Sequence, residues 1–278
     1  MLRGLQFAAY VLIAALTISV WHRGAVAQDL TPFITYELVS ANPSVHVPIF
    51  VRFSLKNGLP FDLAIDEVQN GNGPKGFRAQ LTRPDWRTED GPQLSVSESW
   101  THRTVSVPPS GSYSALLPVS RWFDFDVPGR YTLEMEYTRP FVSDGRLPLP
   151  LPPGRRMVID VAPRDAVGLQ RICSDLENRA MELPDSIESW ESAATLSHIK
   201  DPVAVPFLAR LLAAREKMAP GLVGGLEAIA DEAAVDALIS FANDELEERR
   251  LLARGGLSRI ESKTMDAMIR QKIEQALK

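Results

Sequence analysis

The sequence predicts a chain in two parts, an antiparallel β-sandwich followed by a stack of helix pairs. Eight short runs rich in aromatic and β-branched residues, separated by turn residues, occupy positions 33–161. A six-residue block then recurs as Ala194-Thr195-Leu196-Ser197-His198-Ile199, Gly224-Gly225-Leu226-Glu227-Ala228-Ile229 and Gly255-Gly256-Leu257-Ser258-Arg259-Ile260, at spacings of 30 and 31 residues. A fixed period of this size marks stacked units, because one unit alone cannot bury its apolar face. The 278 residues, 45% hydrophobic and 23% charged, have ordinary globular composition and suffice for two cores.

Residues 1–27 read as a secretory signal peptide. Arg3 supplies positive charge, Phe7 to Val20 is apolar, and Ala25-Val26-Ala27 gives the small-residue cleavage pattern. The competing reading, a retained membrane anchor, is opposed by an apolar run shorter than the roughly 20 residues that span a bilayer. Export to a periplasmic or extracellular location is therefore expected. Cys173 is the only cysteine, so an intrachain disulfide has no second thiol and the fold must be held by its cores. Cleavage would remove Arg3 and Arg23 and no acid, taking the formal charge from −5 to −7. Such a balance provides no basic footprint for nucleic acid and, after signal cleavage, no cationic face for a membrane.

Within 28–163 the expected strands are 33–40, 47–55, 61–65, 76–81, 105–107, 113–119, 130–137 and 157–161. Alternation supports them, as where Ile49, Val51, Phe53 and Leu55 share one face. Turn chemistry lies between, at Asn57-Gly58, Asn70-Gly71-Asn72-Gly73, Arg83-Pro84-Asp85, Pro108-Pro109-Ser110-Gly111 and Pro128-Gly129. Asn-Gly tolerates positive φ at both central positions and so closes hairpins. Leu147-Pro148-Leu149-Pro150-Leu151-Pro152-Pro153-Gly154 reads as a stiff loop, with a docking peptide as the alternative.

Residues 164–278 should be a leading helix, Asp165 to Glu182, followed by about three helix pairs. Asp185 with Glu188 three residues on has the form of a capping box for a helix over 186–198, and Asp201-Pro202 that of a cap followed by Pro in the first turn. The first helices offer Leu196 and Ile199, Leu226 and Ile229, and Leu257 and Ile260 to a common core. The second helices offer Val205, Leu208, Ala209 and Leu212; Val235, Leu238, Ile239 and Ala242; and Met265, Met268, Ile269 and Ile273. Each mid-helix Gly of Gly224-Gly225 and Gly255-Gly256 costs roughly 1 kcal/mol against Ala, so close helix packing is the expected compensation.

Two stretches resemble known families. Trp122-Phe123-Asp124-Phe125-Asp126-Val127-Pro128-Gly129-Arg130-Tyr131 resembles the corner before the penultimate strand of immunoglobulin-like sandwiches. That resemblance implies that Tyr131 hydrogen-bonds back to the turn backbone. With Val51 to Asn57 the segment also looks like accessory β-sandwiches of secreted bacterial proteins, including some metallopeptidases, whose His-Glu-x-x-His pattern this chain lacks. The array resembles short HEAT-like repeats related to phycobilisome-lyase repeats, on its Leu-x-x-Ile endings and on Asp201-Pro202-Val203-Ala204-Val205-Pro206-Phe207-Leu208, echoed by Asp231-Glu232-Ala233-Ala234-Val235-Asp236-Ala237-Leu238. The fold class is thus an Ig-like sandwich followed by a short α-solenoid, and such repeats serve mainly as binding surfaces.

No catalytic pattern stands out. His46, His102 and His198 are far apart without metal-like spacing, and there is no nucleophile elbow, phosphate loop or dinucleotide fingerprint. His198 near a helix C-terminus should favour imidazolium through the helix dipole, and Cys173 beside Ile172 and Leu176 reads as a core residue. Acid pairs such as Asp124 and Asp126 are too common on loops to imply glycoside chemistry. No cofactor or metal is expected.

The candidate partner or ligand surface is Trp86, in the polar stretch Pro84 to Asp90, together with Glu245, Glu248 and Arg249 of a charge run that otherwise marks a solvated helix start. The function expected is a non-enzymatic scaffold binding another protein in the cell envelope. One alternative is a carbohydrate- or peptidoglycan-binding module, which needs Trp86, Trp100 or Trp122 exposed in a row. The other is an enzyme of unrecognised type, which needs two or more acidic or His side chains converging in a cleft between the parts.

Overall fold

A computed structural model describes residues 33–39, 43–66, 76–91, 104–138, 152–182 and 186–278. Residues 1–27, expected to be a signal peptide, Trp100, His102, Asp185, residues 70–73 and most of the Pro-rich run lie outside them.

Among the described residues the N-terminal half forms antiparallel sheets from nine strands: β1 (Phe33–Leu38), β2 (Phe50–Lys56), β3 (Leu63–Asp66), β4 (Phe77–Thr82), β5 (Thr88–Asp90), β6 (Thr104–Val107), β7 (Ser112–Pro118), β8 (Gly129–Tyr137) and β9 (Arg155–Val161). Their order is β1-β2-β7, β3-β6 and β5-β4-β8-β9. Period-2 alternation sets the inward faces, since Val51, Phe53 and Leu55 of β2 and Tyr131, Leu133, Met135 and Tyr137 of β8 are buried while Arg52, Arg130 and Glu134 face out. All three sheets bury these faces in one shared core, where Phe53 packs against Tyr36, Phe77 and Tyr137 with ring centroids 4.9 to 5.7 Å apart.

Two details depart from expectation. Asn57-Gly58 closes no hairpin, because β2 pairs with β7 while β3 pairs with β6. The Asn57 amide is instead fully buried, donating to the Phe61 and Val107 carbonyls and accepting from Leu59 N–H, so it staples the crossing between sheets. The short strand β5 was not expected; its register on β4 follows from the tight turn at Arg83–Arg87.

The C-terminal half holds seven helices among the described residues: α1 (Ala166–Glu182), α2 (Ile187–Ser197), α3 (Val205–Ala214), α4 (Ala219–Ile229), α5 (Glu232–Phe241), α6 (Glu247–Lys263) and α7 (Ala267–Leu277). Acidic and hydroxyl side chains start several of them. Asp165, Ser186, Asp231 and Asp266 each accept a first-turn N–H, and Asp201 does so for a 3-10 turn ahead of α3. The residue capping α2 is therefore Ser186.

Each helix packs on its neighbours in sequence and on the helix two further along, so α2, α4 and α6 form one layer and α1, α3, α5 and α7 the other. Ion pairs repeat this spacing: Arg210–Glu177 joins α3 to α1, Arg259–Glu227 joins α6 to α4, and Lys272–Asp236 joins α7 to α5. Leu196, Ile199, Leu208, Leu212, Leu226, Val235, Leu238, Leu257, Ile260 and Ile273 are buried in one continuous core. Met265 and Met268 are not, being 95% and 81% exposed. Met265 precedes the cap Asp266 and lies off the helix, so the spacing of three that placed it on the stripe runs across a break.

Only the second glycine of each pair marks a close approach. A Cβ on Gly225 would lie 2.8 Å from the Ser197 carbonyl oxygen, and one on Gly256 3.0 Å from Val223 Cγ1, whereas Gly224 has nothing within 4 Å.

The two halves meet along a polar seam. Arg164, in the link between β9 and α1, makes a two-pronged bond to Asp201, at 2.6 and 2.8 Å, and across the seam Lys200 pairs with Asp124. Val47 reaches out of the β half to pack on the helical core. Arg164 holds Asp201 below the usual carboxylate range, although Asp201 is only 1% exposed.

Candidate functional site

A cavity of about 160 Å³ opens at this seam, and its polar lining comes from both halves. The turn before β2 supplies His46 and the short 3-10 turn after β7 supplies Ser120. The following loop supplies Asp124 and Asp126, and the segment after α2 supplies His198 and Lys200. Val47, Phe123 and Phe125 form the apolar part of the wall.

His46 is the third residue of a turn closed by Val47 N–H to the Ser44 carbonyl at 3.0 Å, and its φ of 67° is left-handed. That position favours Gly or Asn, so a histidine there carries backbone strain. Its own N–H donates to the Phe125 carbonyl at 3.3 Å. His198 closes α2 as its C-cap, yet burial and the nearby Arg121 and Lys200 cations push its pKa down to about 4. Desolvation and two cations thus outweigh the helix dipole, and His198 is neutral where the sequence favoured imidazolium.

The two carboxylates are answered by cations, Asp124 by Lys200 and Asp126 by Arg83. Arg83 also donates to the Asp124 carbonyl and to Glu89, and its side chain is only 13% exposed. This guanidinium anchors the β4–β5 hairpin to the rim of the cavity. At the hairpin tip Trp86 N–H donates to the Arg83 carbonyl at 3.0 Å and Arg83 N–H to the Arg87 carbonyl at 2.8 Å. The three-residue loop puts Trp86 in the left-handed position, with φ 68°, where Gly is the favoured residue. Its side chain is 86% exposed. Gly129, at φ 144°, lies beneath the hairpin, where a Cβ would meet Pro84 Cγ at 2.8 Å.

The other surface residues read from the sequence lie on the α5–α6 corner. Glu245 and Glu248 are exposed. The Arg249 side chain is 11% exposed and bonded to Asp244 and to the Leu212 and Ala213 carbonyls, which fastens α6 to the end of α3. Trp122 is half-buried against the β core, and its indole N–H is buried without a partner among the described residues. Trp86 and Trp122 therefore form no exposed row.

The sequence reading missed the cavity. His46 and His198 are far apart in sequence, and the fold brings both to the lining of one cavity. The nearest signal lay in the segment Trp122 to Tyr131, singled out for its corner, which supplies both acids. Among the described residues no group of three or more His, Cys, Asp or Glu is arranged to hold a metal ion, and no helix is long and apolar enough to cross a membrane. The arrangement offers neutral imidazole, hydroxyl, carboxylate and ammonium groups to a small polar molecule.

No family model and no curated protein matches the chain. Among solved structures, a β-glucosidase from Erythrobacter marinus is 10% identical with a TM-score of 0.26, covering 47% of this chain and 16% of that one. Astrotactin-2, a vertebrate-specific perforin-like membrane protein, is 12% identical with a TM-score of 0.22, covering 81% of this chain and 38% of that one. A GH3 β-glucosidase from Bifidobacterium adolescentis is 12% identical with a TM-score of 0.22, covering 63% and 21%. The chain spans well under half the length of each, and likenesses at this level carry no conclusion about fold or function.

Proposed function

We propose that the chain is an exported, non-enzymatic interaction protein of the cell envelope, with an Ig-like sandwich over 28–163 joined to a HEAT-like α-solenoid over 164–278. Supporting the first part, the Tyr131 hydroxyl donates to the Val127 carbonyl at 2.8 Å, the bond that the resemblance to an immunoglobulin-like corner implies. Supporting the second, alternate helices pack in two layers at the repeat period.

The observation that carries a binding role is Trp86. A tryptophan that buries little of its surface and holds an unfavourable backbone angle contributes nothing evident to the fold, and exposed aromatics are the usual anchors of interfaces. A projecting knob of this shape fits a cavity on a partner protein. A photo-crosslinking amino acid at position 86 should give one dominant adduct in envelope extract, absent when it is placed at exposed Glu134. Absence of an adduct, together with turnover of a defined substrate by the purified chain, would overturn the reading.

A catalytic role is the second reading, favoured by two histidines and two aspartates meeting in one cleft. It requires turnover that His46→Asn abolishes, since Asn accepts the left-handed backbone while removing the imidazole.

A further inference from the structure

We propose that the seam cavity binds a neutral, hydroxyl-rich ring, a single sugar residue, between the β half and the helices. This goes beyond the reading of Trp86 and is argued from the cavity's own lining. Size comes first: a cavity of about 150 Å³ takes a benzene-sized ring, and this one, about 160 Å³ and open to solvent, holds the ring of a sugar with its outer substituents projecting from the mouth. Polarity comes next. An apolar ring is unsuited to walls carrying His46, Ser120, Asp124, Asp126, His198 and Lys200.

Charge then narrows the class. Lys200 and Arg83 answer the two carboxylates, and Arg121 beside His198 faces Glu191, so the site has no cationic excess for a phosphate and no anionic excess for a metal or an amine. What remains is a set of both donors and acceptors. Asp124 and Asp126 each have a second carboxylate oxygen besides the one in its ion pair. Lys200 has further ammonium protons, and the Ser120 oxygen accepts from Ile49 N–H while its own proton can be donated. The neutral His198 imidazole donates at one nitrogen and accepts at the other. Sugar hydroxyls are themselves donors and acceptors, so they match such a lining where a pure anion or cation does not.

Position adds an independent reason. The cavity lies between two packed parts, where small-molecule sites are found preferentially, and its His46 is one of the few left-handed non-glycine residues among the described residues.

The test is saturation-transfer NMR and titration calorimetry of the full chain with glucose, galactose, N-acetylglucosamine and their methyl glycosides, with inorganic phosphate as a charge control. At least one sugar should bind, at least 10-fold more weakly to His46→Asn and to the cavity-filling Ser120→Leu, and unchanged to Trp86→Ala. Equal binding of the methyl glycoside identifies the end of a glycan chain as the source, whereas a preference for the free sugar identifies a soluble monosaccharide. Failure of every sugar to bind the wild-type chain, unchanged binding by folded His46→Asn, or binding of phosphate in place of sugar would each overturn the proposal. None of these results touches the crosslink at position 86.

Discussion

Replacing Trp86 by Gly should leave the protein about as stable as the wild type, and replacing it by Ala should not. At 86% exposure the indole hides roughly a seventh of an area of about 250 Å², so losing it costs on the order of 0.9 kcal/mol. Any L-residue at φ 68° also carries a left-handed penalty of about 1–2 kcal/mol, which Gly relieves and Ala retains. Against that, Gly adds about 0.4–1 kcal/mol of freedom to the unfolded chain. The terms nearly cancel for Gly, whereas Ala keeps the strain and loses the contact. Urea unfolding should therefore rank Trp86→Gly near wild type and Trp86→Ala about 1 kcal/mol lower, inverting the usual preference for Ala over Gly. A loss of about 3 kcal/mol in both variants, as for a buried aromatic, would show that Trp86 supports the fold and would remove the reason to assign it to recognition.

Three further outcomes are expected. Gly224→Ala should gain about 0.5–1 kcal/mol of helix propensity, while Gly225→Ala, 2.8 Å from the Ser197 carbonyl, should lose about 1–3 kcal/mol by overpacking; thermal melts that rank them the other way would contradict the helix spacing. Asp201→Asn should cost about 1–3 kcal/mol in denaturant unfolding at neutral pH, because it breaks the paired bond to Arg164 at the seam, and a change below about 0.5 kcal/mol would show that the bond is idle.

His198 should make stability fall with acid. Above its unfolded value of 6.5 neither state carries the proton. Between 6.5 and about 4 only the unfolded chain takes it up, so up to about 3 kcal/mol is lost there and the loss levels off below 4. The charges facing it are Arg121 and Lys200, with Glu191 beside Arg121. His198→Gln should flatten this slope, while the loss from protonating Asp201 remains at lower pH; a slope unchanged by His198→Gln would refute the assignment.

The parts of the fold visible in the sequence are those written by local periodicity. Alternation in Ile49 to Leu55 and in Tyr131 to Tyr137 places β2 and β8, and the recurring Leu-x-x-Ile places α2, α4 and α6. Where a side chain does something non-local, the pattern misleads. Asn57 has turn chemistry, but its amide answers carbonyls at Phe61 and, 50 residues on, Val107. Thr88-Glu89-Asp90 has no apolar alternation, and only the hairpin makes it a strand. The seam cavity is the extreme case, since its lining is drawn from residues 46 to 200 and no window of sequence contains it.

Strain and the cavity rim share one support. Of the four non-glycine residues at positive φ among the described residues, Trp86 and His46 are both fastened to the loop 124–126, Trp86 through Arg83 on Asp126 and the Asp124 carbonyl, His46 through its N–H on the Phe125 carbonyl. Strained residues persist only where their surroundings over-determine them. Here the surroundings are one loop, itself pinned by Lys200 from the helical half. The loop 124–126 therefore borders both the hairpin that carries Trp86 and the cavity that His46 lines, and each strained residue rests on a different group of it.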